Sequence, residues 1–296
     1  MAWIYLIISS GLLVGAAFFG WRTRHLKPGS LAVCLAGTGV LMGLRAFLYA
    51  HPEYEQHLLR LSDDYVYFAT WEAPLAMLMA WGLAARLERG RLRRLVILSL
   101  FALAPLFLWD NVAACLQPSY AMPARFDADG VCRQSTSYSC GPAAAVMMLK
   151  CVGEDISEGE MANLCLLRPN KGVTALELCR GLNVALRGKK HRATIRRFEP
   201  DQLDRACPPF LAEVRRANAT EHCVVVLQVG TDVVLLGDPA RGRSVCPKDD
   251  FVEQWTGIAV TMIPSAAARP GSGPATCRTS GWPQSPVALL KFPSPH

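Results

Sequence analysis

Several signatures that commonly assign a class to a chain are missing from this one. No Gly-x-x-x-x-Gly-Lys-Ser/Thr loop occurs in its 296 residues, so these residues carry no P-loop nucleotide engine. No Cys-x-x-Cys pair and no His-x-x-x-His spacing is present; neither a metal nor a cofactor is expected, and a disulfide-handling protein would lack its usual motif. The net charge of +7 comes without aromatic interleaving or a nucleic-acid motif. Solvated surface charge and loop arginines account for it better than nucleic-acid binding. No basic residue precedes the first apolar stretch, whereas Arg22, Arg24 and Lys27 follow it, which favours a retained helix over a cleaved signal peptide.

What is present divides in two. Before about residue 118 the chain is a series of apolar runs separated by short charged loops; beyond it, polar, charged and turn residues mix as in a globular domain. Runs at about 2–20, 31–50, 66–85 and 95–116 each reach the roughly 18–20 apolar residues needed to cross a bilayer. The first loop carries Arg22, Arg24 and Lys27, the second only Arg60, and the third Arg86, Arg89, Arg91, Arg93 and Arg94. Basic loops stay on the cytoplasmic side, so the second loop and everything after residue 118 are expected outside the cytoplasm. Within the runs, Arg45 and Glu72 are expected to reach the interface with their charged heads. Gly39 and Gly43 have the spacing of a close helix contact, a common and weak signal.

In the second half, Cys140-Gly141-Pro142 opens a helix through Cys151, since proline suits a first turn and Ala143, Ala144 and Ala145 favour helix. Ser157-x-x-Glu160 and Thr174-x-x-Glu177 are capping boxes opening helices through about Leu166 and Leu182. Apolar segments bounded by turn residues follow at 193–198, 209–214, 222–229, 233–237 and 257–263 and read as strands. The expected fold is therefore α+β: a helical subdomain, then an antiparallel sheet. Expected bounds are a membrane anchor at 1–117, a linker at 118–127, the α+β domain at 128–264 and a disordered Pro/Gly/Ser-rich tail at 265–296.

A helix N-terminus favours thiolate over thiol, the setting a nucleophilic Cys140 needs, although a buried structural cysteine is the commoner occupant of such a place. His222 begins one apolar strand and Asp238 ends the next, so a hairpin near Gly230 brings imidazole and carboxylate together. Parity restricts this. A three-residue loop puts both side chains on one face, whereas a strict two-residue Gly230-Thr231 turn does so only with a bulge. An imidazole held by a carboxylate can deprotonate a thiol and later protonate a leaving amine. Gln134, upstream of Cys140, can offer its amide to a developing oxyanion. The rival base His191 lies among Lys189, Lys190 and Arg192 with no carboxylate to orient it.

Gln134 through Cys140-Gly141-Pro142-Ala143, then Gly172-Val173-Thr174, His222-Cys-Val-Val-Val, Gly237-Asp238-Pro239-Ala240 and Phe251-x-x-x-Trp255-Thr256-Gly257 resemble, in order and spacing, the double-glycine leader (bacteriocin-processing) cysteine peptidases. That resemblance implies a papain-like fold, a triad of Cys140, His222 and Asp238, Gln134 as the oxyanion residue, and a peptide or protein substrate. The residue before the nucleophile, often acidic or amide in that family, is Ser139. Many relatives are domains of peptide-exporting transporters; here the partners expected are a lipid bilayer and a separate export transporter. The alternative is an inactive module of the same fold that only binds a peptide for such a transporter.

Nine of the eleven cysteines lie from Cys132 onward. Excluding Cys140, eight remain for disulfides if this half is external: Cys132, Cys151, Cys165, Cys179, Cys207, Cys223, Cys246 and Cys277. Buried free thiols are the competing reading for Cys151, Cys179 and Cys223. An oxidising compartment also threatens an exposed catalytic thiolate, which would have to be shielded or rereduced.

Overall fold

A computed structural model describes residues 28–60, 120–215 and 221–265. The expected apolar runs at 2–20, 66–85 and 95–116, with Glu72, lie outside these residues, as does the tail after 265.

The α+β domain begins with two short paired strands, β1 (Arg125–Phe126) and β2 (Cys132–Arg133). Helices α3 (Cys140–Cys151), α4 (Glu158–Leu164) and α5 (Ala175–Ala185) follow. Both expected capping boxes form: the Ser157 and Thr174 side chains accept the N–H groups of Glu160 and Glu177, whose carboxylates reach back to the N-cap backbone.

Six strands then build one antiparallel sheet in the order β3-β8-β4-β5-β6-β7. They are β3 (His191–Arg197), β4 (Phe210–Arg215), β5 (Glu221–Val229), β6 (Val233–Asp238), β7 (Gly242–Pro247) and β8 (Trp255–Pro264). Strand β7 and the helix α6 (Lys248–Gln254) between β7 and β8 were not anticipated.

The sheet is apolar on both faces, which explains the unbroken run Val224-Val225-Val226-Leu227 in a central strand. Val225 and Leu227 pack toward α3 and α5 with Leu211 and Val260. Val224 and Val226 pack on the other side with Phe210, Phe251 and Trp255. Helix α3 runs through the centre of the first cluster, with every residue from Gly141 to Leu149 buried. Within the expected linker, Tyr120 donates its hydroxyl to the Leu167 carbonyl at 3.0 Å, and Met122 accepts from Gly159 N–H at 2.8 Å.

The apolar run at 31–50 lies within helix α1 (Pro28–Ala50), and His51 joins it to α2 (Pro52–Leu59). No helix among the described residues is long and apolar enough to cross a membrane. Arg45 departs from expectation. It is 4% exposed and pairs with Glu55 at 3.1 Å, because the turn at His51 folds α2 back toward the end of α1. Gly39 and Gly43 meet no neighbour where a Cβ would stand, so no close helix contact forms there among the described residues.

Helix α2 also docks on the domain. Gln56 Nε2 donates to the Ile195 carbonyl at 2.7 Å, while its Oε1 accepts from Ile195 N–H at 2.8 Å and Thr194 Oγ1 at 2.9 Å. Arg197 adds bonds to Glu53 Oε1 at 3.0 Å and the Ala50 carbonyl at 2.7 Å. One glutamine side chain thus satisfies both backbone groups of Ile195 on an edge strand.

Candidate active site

Cys140 is the first residue of α3, with Ser139 as N-cap. The Ser139 hydroxyl does not cap the helix. It accepts from Thr136 N–H at 3.0 Å and donates to the Thr136 carbonyl at 3.2 Å, fixing the turn that delivers Cys140. The thiol therefore meets the unsatisfied N–H groups and positive end of a 12-residue helix. Gly141 allows α3 to approach the turn before α5, since a Cβ there would collide with the Val173 side chain.

The hairpin resolves the parity question with a two-residue turn, at Thr231-Asp232 rather than Gly230-Thr231, and a bulge. Gly230 N–H donates to the Val233 carbonyl at 2.8 Å, closing a two-residue Thr231-Asp232 turn that alone would put His222 and Asp238 on opposite faces. The register then shifts between Val226 and Gln228, and beyond that bulge Val225 pairs with Gly237. The extra residue returns both side chains to one face. His222 Nε2 lies 2.7 Å from Asp238 Oδ1, and the same oxygen accepts from Ala240 N–H at 2.7 Å. Residues His222 and Asp238 are each 6% exposed.

With Nε2 engaged by Asp238, the other ring nitrogen remains for Cys140, whose sulfur hydrogen-bonds His222 and the Cys223 backbone. Burial pushes the Cys140 thiol up, but the His222 bond, the Cys223 backbone bond and the imidazole charge outweigh it and hold the thiol below its ordinary range. Burial alone would lower His222; its bonds to Asp238 and Cys140 and their charges raise it above the ordinary histidine value. Opposed shifts of this kind favour a thiolate–imidazolium pair.

Gln134 is held beside the same corner. Its backbone N–H donates to the Pro239 carbonyl at 3.0 Å and its Nε2 to the Thr136 carbonyl at 2.7 Å. It does not line the cleft in which Cys140 and His222 lie. An amide nitrogen has two N–H groups, so one remains available. His191 begins edge strand β3, separated from β5 by β8 and β4, and is not part of this site.

Glu158 was not anticipated. Fully buried at the start of α4, it accepts from Ser135 N–H at 3.0 Å and Ser135 Oγ at 2.5 Å, bracing the segment between Gln134 and Cys140. Nothing local marks it, because its partner is 23 residues away.

The cleft encloses about 520 Å³ including its open mouth and is walled by Val173, Leu178, Leu211 and Ile258, among others. Among the described residues no cluster of three His, Cys, Asp or Glu side chains is placed to hold a metal. The expected disulfides do not form: Cys132, Cys151, Cys165, Cys179, Cys207, Cys223 and Cys246 are free thiols, and Cys277 lies outside the described residues. The reason is packing. Cys132, Cys165 and Cys179 are core side chains. Burial pushes Cys132 and Cys179 up to about 12, and Cys223 well above its ordinary value, so none of these three is activated.

A family model described as the Peptidase C39 family matches residues 129–267. An uncharacterized protein of Methanothermobacter marburgensis is 36% identical over 132 residues, which cover 45% of this chain and 87% of that one. The probable functional amyloid protease FapD of Pseudomonas fluorescens is 27% identical over 44% of this chain and 58% of its own length. The pediocin PA-1 transport/processing ATP-binding protein PedD of Pediococcus acidilactici is 28% identical over 44% of this chain but only 18% of its own length. Among solved structures, a double glycine motif protease from an AMS/PCAT transporter, in complex with the leader peptide, aligns at 23% identity over 51% of this chain and 99% of that one, with a TM-score of 0.40. With the matched segment coinciding with the α+β domain, the chain belongs to the Peptidase C39 family and is a cysteine-type peptidase.

Proposed function

We propose that this chain is a membrane-anchored peptidase that removes a leader segment from a peptide or protein substrate, with Cys140 as nucleophile, His222 as general base and acid, Asp238 as the group orienting His222, and Gln134 as an oxyanion donor. The observation that carries this reading is the 2.7 Å bond from His222 Nε2 to Asp238 Oδ1, which leaves the other ring nitrogen for a thiol at a helix N-terminus.

The Cys140 thiolate adds to the scissile carbonyl, and negative charge builds on its oxygen. The Cys140 N–H and the second N–H of Gln134 Nε2 stabilise that charge. The tetrahedral species collapses as the imidazolium donates its proton to the leaving amine, giving a thioester and neutral His222. Water, deprotonated by His222, then adds to the thioester and returns the thiolate. Asp238 keeps the ring oriented with Nε2 protonated throughout.

Leader processing is the proposed task because PedD is described as a transport/processing protein and the motifs resemble the double-glycine group. A transporter is the proposed partner for export of the processed peptide, as PedD is described as a transport/processing protein. The membrane anchor rests on the apolar runs at 2–20, 66–85 and 95–116 and on the loop charges, and α1 turns Val33, Val40 and Phe47 outward. The peptidase domain is assigned to the extracytoplasmic side.

The test is modification of the purified chain with a substoichiometric thiol alkylator, mapping the labelled residue in wild type, Cys140→Ala and His222→Ala, alongside cleavage of peptides containing Gly-Gly. Preferential, His222-dependent labelling of Cys140 together with cleavage is the expected result. Equal modification of several cysteines, without cleavage, would instead indicate an inactive peptide-binding module.

A further inference from the structure

Two carboxylates, Glu213 and Glu221, line the cleft that holds Cys140 and His222. They are not equivalent. The β4–β5 register sets Arg215 opposite Glu221, so the outer carboxylate has a cation across the strand pair. It sets Cys223, a thiol, opposite Glu213. Glu213 is half-buried, and no Lys or Arg among the described residues forms an ion pair with it. Its backbone carbonyl accepts from Thr256 Oγ1 at 3.1 Å, which fixes the strand beneath it. A carboxylate drawn from water beside a hydroxyl, with no cation paired to it, is costly, and this one lines the cleft that holds Cys140 and His222.

The remaining walls define what fits. Val173, Ala175, Leu178, Leu211, Ile258 and Val260 are apolar and suit a chain of methylenes. A side chain with an apolar stem and a cationic head matches both features. Lys171 lines the same cleft from the turn before α5, so the cleft is not uniformly acidic and discrimination is local to Glu213.

We infer that Glu213 is a specificity-determining residue that receives a substrate lysine or arginine beside the bond cut at Cys140. This rests on the peptidase reading above, deepens it by naming a substrate class, and assigns Glu213 no part in the bond-breaking steps. Burial pushes the Glu213 carboxyl upward, and Glu221 adds to that, against the opposing pull of Arg215, Thr256 and Arg197. A bound cation would complete the ionisation.

The experiment measures alkylation of Cys140 at low ionic strength by three haloacetamides of equal length, ending in a quaternary ammonium, a neutral amide or a carboxylate. For wild type the cationic reagent should react about tenfold faster than the anionic one. Glu213→Gln should reduce that ratio to about twofold, whereas Glu221→Gln should leave most of it intact. Thermal unfolding of each variant establishes that it is folded. Equal rates in wild type, or a ratio unaltered by Glu213→Gln, would overturn the inference while leaving the nucleophile intact. Failure of Cys140 to react with any of the three would overturn the peptidase reading itself, and this inference with it. In peptide cleavage, wild type should prefer lysine over glutamate near the scissile bond, and Glu213→Gln should lose that preference without a matching fall in neutral-reagent alkylation.

Discussion

The Asp238 carboxylate is held before it holds anything else: Ala240 N–H and His222 Nε2 both reach the same oxygen at 2.7 Å. Asp238→Asn replaces an obligatory acceptor with a group that can donate, so His222 loses both its orientation and the charge that raises it. Peptide cleavage should fall by about 10²–10⁴ in kcat/KM, a steady-state measurement. Gln134→Ala removes one of the two proposed oxyanion donors and should reduce kcat by roughly 10–10³ with little change in KM. The pH profile follows from the opposed shifts of Cys140 and His222. Activity rises on the acid side as Cys140 loses its proton, below the usual thiol range, and falls on the alkaline side as His222 loses the proton needed by the leaving amine, above the usual histidine range. Asp238→Asn should move the alkaline limb to lower pH, and His222→Ala should move the onset of Cys140 alkylation to higher pH. Rates of alkylation and cleavage followed against pH check both. These residues were legible because each chemistry demands a particular side chain at a particular place. A thiol at a Cys-Gly-Pro helix start and an imidazole and carboxylate at the two ends of a hairpin are local patterns. Glu158 was not legible, since a buried carboxylate serving Ser135 depends on how α4 folds against the loop.

At the scale of elements, the two helices announced by capping boxes begin where their chemistry places them, because a cap is specified within four residues. The hairpin was only half legible. The run Val224 to Leu227 says strand, but four similar side chains do not mark where a bulge falls. Strand β7 has Arg243, Ser244 and Pro247 among its six residues, and its place as an edge strand is set by pairing with β6. Helix α6 lacks a side-chain cap. The docking of α2 is the plainest case of structure that local pattern cannot supply, as Gln56 and Ile195 are 139 positions apart. That clamp carries a stability prediction. Gln56→Ala leaves the N–H and C=O of Ile195 without their side-chain partner at a buried edge, and each orphaned group costs about 1–3 kcal/mol. The full-length protein should lose about 2–4 kcal/mol on denaturant unfolding, with faster amide exchange concentrated on β3. Unchanged exchange at Ile195 would mean that α2 does not hold the strand.

For the whole molecule, the same contact constrains the arrangement proposed across a membrane. Helix α2 lies in the second loop between the apolar runs, and it touches a strand of the peptidase domain through Gln56 and Glu53. Two parts in direct contact share one aqueous compartment. Two proposed spans, at 66–85 and 95–116, separate the second loop from the segment after residue 118, so the proposed topology puts both on one side, as the α2–β3 contact also requires. Which side is proposed from charge alone. The free thiols provide a reporter for it: Cys207 is exposed, whereas Cys132, Cys165 and Cys179 are buried in the core. In intact cells expressing a Cys140→Ser chain, a membrane-impermeant maleimide should label Cys207 without permeabilisation if the domain faces outward as proposed. A cysteine introduced at Tyr54, an exposed position on α2, should be labelled under the same conditions. Labelling of both only after permeabilisation would invert the topology yet preserve the α2–β3 contact and would place the catalytic thiol in a reducing compartment. Labelling of one but not the other would separate the two parts, and the docking of α2 on the peptidase sheet would have to be abandoned.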